Sequence, residues 1–150
     1  KEALLKRFVD VAPRTKMFSR SRNALLIHRL CNDLTAFWTA PNTTIIQFDT
    51  EGSSMFFLMD GKCSVHVTGK IVGTLAAPCH FGEVALLSES RRTAEIRSIS
   101  ACLLCEISRD DLRDVLNEFP SEADIIYHTL KLEAIQNVQL VRNQLPTVYE

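Results

Sequence analysis

The chain has 150 residues, 46% of them hydrophobic and 23% charged, with a net charge of −1 at pH 7. This composition is ordinary for a globular domain that builds its own core, and the near-neutral charge argues against a nucleic-acid partner. No apolar run approaches the roughly 20 residues needed to cross a bilayer, and no signal peptide is visible. The odd number of five cysteines is typical of reduced thiols in the cytosol. Because the chain opens on the amphipathic stretch KEALLKRF, we expect a segment of a larger protein.

Residues 1–35 are predicted to form an N-terminal helical segment. Apolar side chains recur there at helical spacing, namely at Leu4, Leu5, Phe8 and Val9. Pro13 and the polar stretch SRSRN interrupt this pattern. A second helix is predicted over 24–34, and the apolar residues on one of its sides are Leu26, Ile27, Leu30 and Leu34.

Residues 36–107 are predicted to form short strands that are separated by turns. The segments rich in β-branched or aromatic residues are TTIIQF, SMFFLM, KCSVHV, KIVGTL, AEIRSI and CLLCEI. Asp60-Gly61 is one of the turn signals between them. Trp38 stands beside a strand start and is predicted to lie in the core. The pattern predicts an antiparallel β-roll, a jelly-roll-like barrel, flanked by helices, so the fold class is α+β.

Residues 108–142 are predicted to form two closing helices. Ser108 precedes RDDLRDVLNEF and can cap this helix, which has acidic residues in its first turn. Pro120 breaks the chain, and Ser121 can cap a second helix that runs to about Leu140. Residues 143–150 are predicted to form a tail.

The stretch HFGEVALLSESRRTA, residues 80–94, interrupts the strands. EVALL suits a short helical turn, whose N-terminus would offer free backbone N–H groups to an anion. Gly82 allows close approach of a ligand to the backbone, and Arg92 can fold back onto a phosphate. Glu83 is an acceptor that suits a sugar hydroxyl, whereas Arg91 is expected to be a solvated neighbour. The stretch predicts a ligand with a phosphate and a ribose, although Arg92 and Glu83 taken alone would indicate a surface salt bridge.

The cysteine and histidine patterns indicate no chemistry of their own. Cys102 and Cys105 formally make a C-x-x-C motif, but a metal site needs a second pair or well-spaced histidines. Residues three apart on a strand face opposite sides, so structural cysteines are the simpler interpretation. The histidines form no close metal-ligand motif, standing at His28, His66, His80 and His128. We therefore predict that the chain binds no metal and is not an enzyme.

Residues 80–94 contain a stretch that resembles the phosphate-binding cassette of cyclic nucleotide-binding domains, F-G-E-x-[AS]-L-x…R-[TS]-A. The matching positions, within the cassette 81–94, are Phe81, Gly82, Glu83, Ala85, Leu86, Arg92, Thr93 and Ala94. The resemblance covers most of the chain, because the helix, the β-roll with a short cassette helix inside it and the closing helices occur in the family's order. SESRRTA and ISRDDLRDVLNEFP look most like the domains attached to hyperpolarization-activated and cyclic nucleotide-gated channels and related ion-transport proteins.

The resemblance implies a role for each cassette residue. Arg92 would bind the cyclic phosphate, and Glu83 would bind the ribose 2′-hydroxyl. Backbone N–H groups would complete the phosphate cradle at Gly82, Val84 and Ala85. Thr93 matches a position whose hydroxyl can help to hold the phosphate and can favour cGMP. The positions around the base would be Val65, Gly73 and Leu75.

In this family the last helix swings over the base as a lid. Its ligand-facing residues would be Leu130, Glu133 and Asn137. A basic lid residue typical of the channels is replaced by Glu133, so the preference between cAMP and cGMP stays open. Two turn positions also depart from the family, since Asn42 follows Pro41 where Pro-Gly is usual and Asp49 stands where a glycine is expected. Asn tolerates a positive φ, so we expect the first of these turns to be kept.

The resemblance implies a non-catalytic sensor. Its ligand would be cAMP, with cGMP as the alternative, and binding would allosterically regulate an attached membrane ion channel or transporter. The chain would then be a cytoplasmic domain whose partners are the rest of the parent membrane protein and, through the N-terminal helices, further copies of itself. A regulatory domain of a cyclic nucleotide-dependent kinase, a transcription regulator and a degenerate interaction module are the alternatives.

Overall fold

The structure is a computed structural model that describes residues 2–83, 87 and 91–144, without the side chains of Glu2 and of 137–144. Residues 84–86 and 88–90 of the cassette lie outside this description, as does the chain from 145 onward. The predicted cassette helix and the backbone contacts of Val84 and Ala85 fall there and stay predictions. The division of the chain into segments at 35, 107 and 142 likewise stays a prediction.

The helices flank the strands at both ends of the chain. They are α1 (Glu2–Val11), α2 (Ala24–Cys31), α3 (Arg109–Asn117) and α4 (Pro120–Gln144). Two 3-10 turns, Ala12–Arg14 and Lys16–Phe18, lie between α1 and α2. The strands are β1 (Thr35–Thr39), β2 (Thr44–Ile46), β3 (Ser54–Asp60), β4 (Lys62–Val67), β5 (Lys70–Ala76), β6 (Cys79–Phe81), β7 (Glu95–Ser98) and β8 (Cys102–Ser108). Among the helices described, none combines the length and the apolar character that a membrane span requires.

The described strands form two antiparallel four-stranded sheets. Their orders are β1-β8-β3-β6 and β2-β7-β4-β5. In the first sheet, the pairing of β3 with β6 sets Phe57 opposite His80. In the second sheet, β4 lies between β5 and β7, so Val65 is flanked by Gly73 and Ile96. The two sheets with their flanking helices confirm the predicted fold class, an antiparallel β-roll.

The two central strands of the first sheet, β3 and β8, are buried on both faces. Along β3, Phe56 and Leu58 join the core inside the roll, whereas Met55, Phe57 and Met59 join the core beneath the helices. This alternation follows from the two-residue period of a strand. It also explains why MFFLM in β3 and CLLC in β8 are continuously apolar, because a strand that is buried on both faces has no solvent side.

Polar side chains cap the starts of α2 and α3. The side-chain oxygen of Asn23 accepts from the backbone N–H groups at the start of α2, at 3.0 and 3.1 Å, and its amide donates to Glu122 of α4 at 2.8 Å. Ser108 caps α3 by accepting from the N–H of Asp111 at 3.1 Å, as predicted. The predicted cap at Ser121 is wrong, because α4 already begins at Pro120, whose fixed φ and missing N–H suit the first turn of a helix.

Two turns and two cysteines are as predicted, whereas Trp38 is not. Asn42 and Asp49 both adopt φ of 61°, so the turns are kept without glycine. Cys102 lies inside the roll and Cys105 lies beneath the helices, which confirms that they face opposite sides; both thiols are free. The placement of Trp38 in the core is wrong, since it is 59% exposed on β1, which is an edge strand of the first sheet.

Candidate ligand-binding site

The end of β6 brings Gly82 and Arg92 together. The Nη1 of Arg92 donates to the carbonyl oxygen of Gly82 at 3.0 Å, and its Nη2 donates to the carbonyl oxygen of Ser54 at 2.7 Å. Gly82 has a φ of +86°, and a Cβ there would lie 3.0 Å from Nη1. The glycine therefore allows both the turn and the close approach of the guanidinium.

The guanidinium of Arg92 also lies against the backbone of Gly52. A Cβ at Gly52 would lie 2.2 Å from the Nε of Arg92, so this position accommodates Arg92 only as a glycine. Burial lowers the pKa of Arg92, and the nearby charges of Glu106 and Glu83 oppose that shift. An arginine stays protonated at neutral pH, so the site presents a partly desolvated positive charge.

Glu83 follows Gly82 directly and is 2% exposed. Its Oε2 lies 3.7 Å from the Nδ1 of His80, and its charge acts on Arg92. A buried carboxylate between two cationic groups is an acceptor that is held in place. In this arrangement Glu83 can accept a hydrogen bond from a ligand hydroxyl, and Arg92 can bind an anion.

His80 links this carboxylate to α4. Its Nε2 lies 2.9 Å from Oε2 of Glu133, and its ring meets that of Phe57 edge-on at 6.3 Å. Burial alone would lower the pKa of His80, but Glu133 and Glu83 outweigh burial and raise the pKa to about 9. His80 is therefore an imidazolium at neutral pH, between two carboxylates.

The sequence did not single out His80, and it placed Glu133 toward the base. The structure pairs Glu133 with His80 on the helix side of the first sheet, because His80 lies opposite Phe57 and not inside the roll. Contact of Glu133 with a ligand stays a prediction. The three groups His80, Glu83 and Glu133 offer ligand atoms within 4.8 Å of one another and could hold a metal ion. However, the two carboxylates approach different ring nitrogens, a geometry that suits one shared imidazolium better than one ion.

The remaining predicted site residues are spread over the roll and the lid. Val65 and Leu75 pack against the core inside the roll, and a Cβ at Gly73 would meet open space. Thr93 is exposed, and Leu130 of α4 is fully buried in the core between the helices and the first sheet. The side chain of Asn137 lies outside the described part of the chain. The ligand contacts of all these residues stay predictions.

Arg91, the neighbour of Arg92, belongs to a different environment. It is exposed, its Nε donates to Oδ1 of Asp49 at 2.9 Å, and its Nη2 donates to the backbone carbonyl of Asp49. These contacts hold the turn in which Asp49 adopts a positive φ. Arg91 therefore supports the loop from outside and offers a control for Arg92.

A family model, the cyclic nucleotide-binding domain, matches residues 38–119, which is more than half of the chain. The chain therefore belongs to the cyclic nucleotide-binding domain family. The potassium/sodium hyperpolarization-activated cyclic nucleotide-gated channel 4 of Homo sapiens is 39% identical to it over 80 residues, and channel 2 of Mus musculus is 38% identical over 80 residues. These stretches cover 53% of this chain but only 7% and 9% of the two channels, so the chain spans a small part of their length.

Solved structures show the same fold. The regulatory domain of Toxoplasma gondii PKA with cAMP has a TM-score of 0.70 and 21% identity, over 77% of this chain and 45% of that chain. The PKAR CBD2 with bound Sp-2Cl-cAMPS has a TM-score of 0.76 and 22% identity, over 96% of this chain and 94% of that chain. At these identities the likeness supports the β-roll with its flanking helices.

Proposed function

We propose that the chain is a non-catalytic sensor that binds cAMP, with cGMP as the alternative, and regulates an attached membrane ion channel or transporter. Arg92 binds the cyclic phosphate, Glu83 accepts from the ribose 2′-hydroxyl, and α4 closes over the base. The identity to the hyperpolarization-activated channels supports a channel as the effector and a cytoplasmic location for the domain. Assembly through the N-terminal helices is part of the same proposal.

The placement of Arg92 is the single observation that supports this proposal best. Its guanidinium rests on the carbonyl of a positive-φ glycine, one residue before a carboxylate that is 2% exposed. A surface salt bridge would leave both charges in water, whereas here Glu83 is buried and Arg92 is partly buried. A guanidinium has five N–H donors in a planar fork, so it can engage phosphate oxygens in addition to these carbonyls or in their place.

Regulation requires a lid that responds to the ligand. A ligand shifts a conformational equilibrium only by its differential affinity for the two states. The helix α4 supplies such a difference if its contact with the ligand forms only when it is closed. Because the N-terminal helices share a core with α4, movement of α4 can reach an effector that precedes the chain.

Titration calorimetry with cAMP and with cGMP tests the proposal. We expect saturable binding of at least one of them, with one ligand per chain. 5′-AMP is the matched control, because it has the same base and sugar but an open, more highly charged phosphate. Absence of binding by both cyclic nucleotides at millimolar concentration would contradict the proposal, and equal binding of 5′-AMP would contradict the role of the cyclic phosphate.

A further inference from the structure

The lid helix α4 reaches the first sheet through a polar contact as well as through apolar packing. On α4, Ile126 and Leu130 are fully buried in the core between the helices and the first sheet. Glu133 follows on the same helix with its side chain 14% exposed. Burial of a carboxylate is costly unless it is paired. Its partner is the Nε2 of His80 at 2.9 Å, so this ion pair offsets the burial of the Glu133 carboxylate when α4 is docked.

The ion pair continues into the cassette as a row of alternating charges. Arg92 is acted on by Glu83, Glu83 lies 3.7 Å from His80, and His80 lies 2.9 Å from Glu133. Two contacts therefore join Glu83 of the cassette to a carboxylate on the lid, and the charge of Glu83 acts in turn on Arg92.

The surroundings of His80 leave the two carboxylates in control of its charge. The facing residue of β3 is the apolar Phe57, and the buried residues of the adjoining turn 16–18 are Met17 and Phe18. Cys79 precedes His80, and burial raises the pKa of its thiol to about 12, so the thiol is neutral. The charged groups that act on His80 are Glu83 and Glu133.

We propose that His80 is a positioning residue that ties Glu83 to the lid through Glu133, so that lid docking and ligand binding stabilise each other. The link to the ligand rests on the proposed role of Glu83 as the ribose acceptor. When α4 undocks, Glu133 enters water and His80 keeps its longer contact with Glu83. The imidazolium is then held by one carboxylate and no longer by two, so it orients Glu83 less firmly. By linkage, a ligand that needs Glu83 in place favours the docked lid by the same factor.

The experiment uses Glu133→Gln, which keeps the shape of the side chain and removes its charge. Asp124→Asn, at an exposed position of the same helix, is the matched control. The first readouts need no ligand: hydrogen exchange of α4, and the titration of His80 followed by NMR. We expect faster exchange along α4 and a lower pKa of His80 in Glu133→Gln, with neither change in Asp124→Asn.

The second readout is the affinity for cAMP. We expect Glu133→Gln to weaken it about fivefold or more, the lower end of coupling between linked sites. His80→Gln should weaken it as well, and the double variant should be no weaker than His80→Gln, because both changes cut the same link. His128→Gln, exposed on α4, is the control for the loss of a histidine.

Failure of cAMP binding and failure of the tie between His80 and α4 give different results. If the wild-type chain binds no cAMP, the proposed function fails, and the ligand-free readouts still decide on the tie between His80 and α4. If cAMP binds but Glu133→Gln leaves the exchange of α4, the pKa of His80 and the affinity unchanged, the tie is refuted and the proposed function stands. Fully additive losses of affinity in the double variant would also refute the tie between His80 and α4.

Discussion

Gly52→Ala should disable the candidate phosphate site without changing any residue of the cassette. A Cβ at position 52 would lie 2.2 Å from the Nε and 2.4 Å from the Cζ of Arg92, distances that no non-bonded pair tolerates. The φ of Gly52 lies outside the left-handed region, so alanine introduces no backbone strain of that kind. The guanidinium of Arg92 must therefore leave its position.

The displaced guanidinium loses its bonds to the carbonyls of Gly82 and Ser54, at 3.0 and 2.7 Å. Each hydrogen bond to a buried charged group contributes about 1.5–3 kcal/mol, but water replaces part of this for a half-buried arginine. We therefore expect a loss of about 1–2 kcal/mol in the free energy of unfolding for both bonds together. The affinity for cAMP should fall at least about tenfold, which corresponds to about 1.4 kcal/mol.

Urea unfolding and calorimetry measure the two effects, and a double-mutant cycle with Arg92→Ala isolates their cause. In the Arg92→Ala background there is no guanidinium for the added methyl group to displace, so Gly52→Ala should change neither stability nor affinity there. An unchanged affinity for cAMP in Gly52→Ala would show that binding does not need the guanidinium of Arg92 in this position. So would equal losses of stability with and without the guanidinium, since the effect would then lie in the backbone.

Three further predictions concern the frame of the site. The pKa of His80 is raised to about 9, so its contribution to stability is complete below about pH 6.5 and is lost as the pH rises through 9; unfolding at a series of pH values should show this fall, and His80→Gln should flatten it. Ser108→Ala should cost about 1 kcal/mol of stability through the lost cap, whereas Ser121→Ala should cost much less, which urea unfolding of both variants checks. Burial raises the pKa of Cys79 to about 12, so its thiol should react with a disulfide reagent far more slowly than a free cysteine at pH 8, as mass spectrometry of the labelled chain can show.

Local patterns predicted the elements that have local causes. The apolar runs SMFFLM and CLLCEI gave β3 and β8, and Ser108 followed by two aspartates gave the start of α3. The strand β6, Cys79–Phe81, was not predicted because it has no β-branched residue and its pairing with β3 is long-range. Trp38 was placed in the core because its aromatic character was visible, whereas its position on an edge strand was not.

In the candidate site too, local contacts could be predicted from the sequence and long-range contacts could not. Gly82, Glu83 and Arg92 stand close in sequence, so local spacing could predict that Gly82 and Arg92 meet. Binding of a phosphate and a ribose by these residues stays a prediction. Glu133 lies 53 residues beyond His80, and a contact at 2.9 Å between them leaves no local signal. What the sequence did offer was an isolated histidine directly before the cassette, which becomes informative only when the register of β6 turns its side chain toward α4.

The comparison of Arg92→Ala with Arg91→Ala in calorimetric titrations with cAMP tests whether Arg92 binds the cyclic phosphate. The two arginines are adjacent, but Arg92 lies half-buried at Gly82 while Arg91 is exposed and bound to Asp49. We expect Arg92→Ala to weaken binding by about 2–5 kcal/mol, as when a buried charge loses its partner, and Arg91→Ala to bind like the wild type. Equal affinities for Arg92→Ala and the wild type would contradict the assignment of the phosphate site.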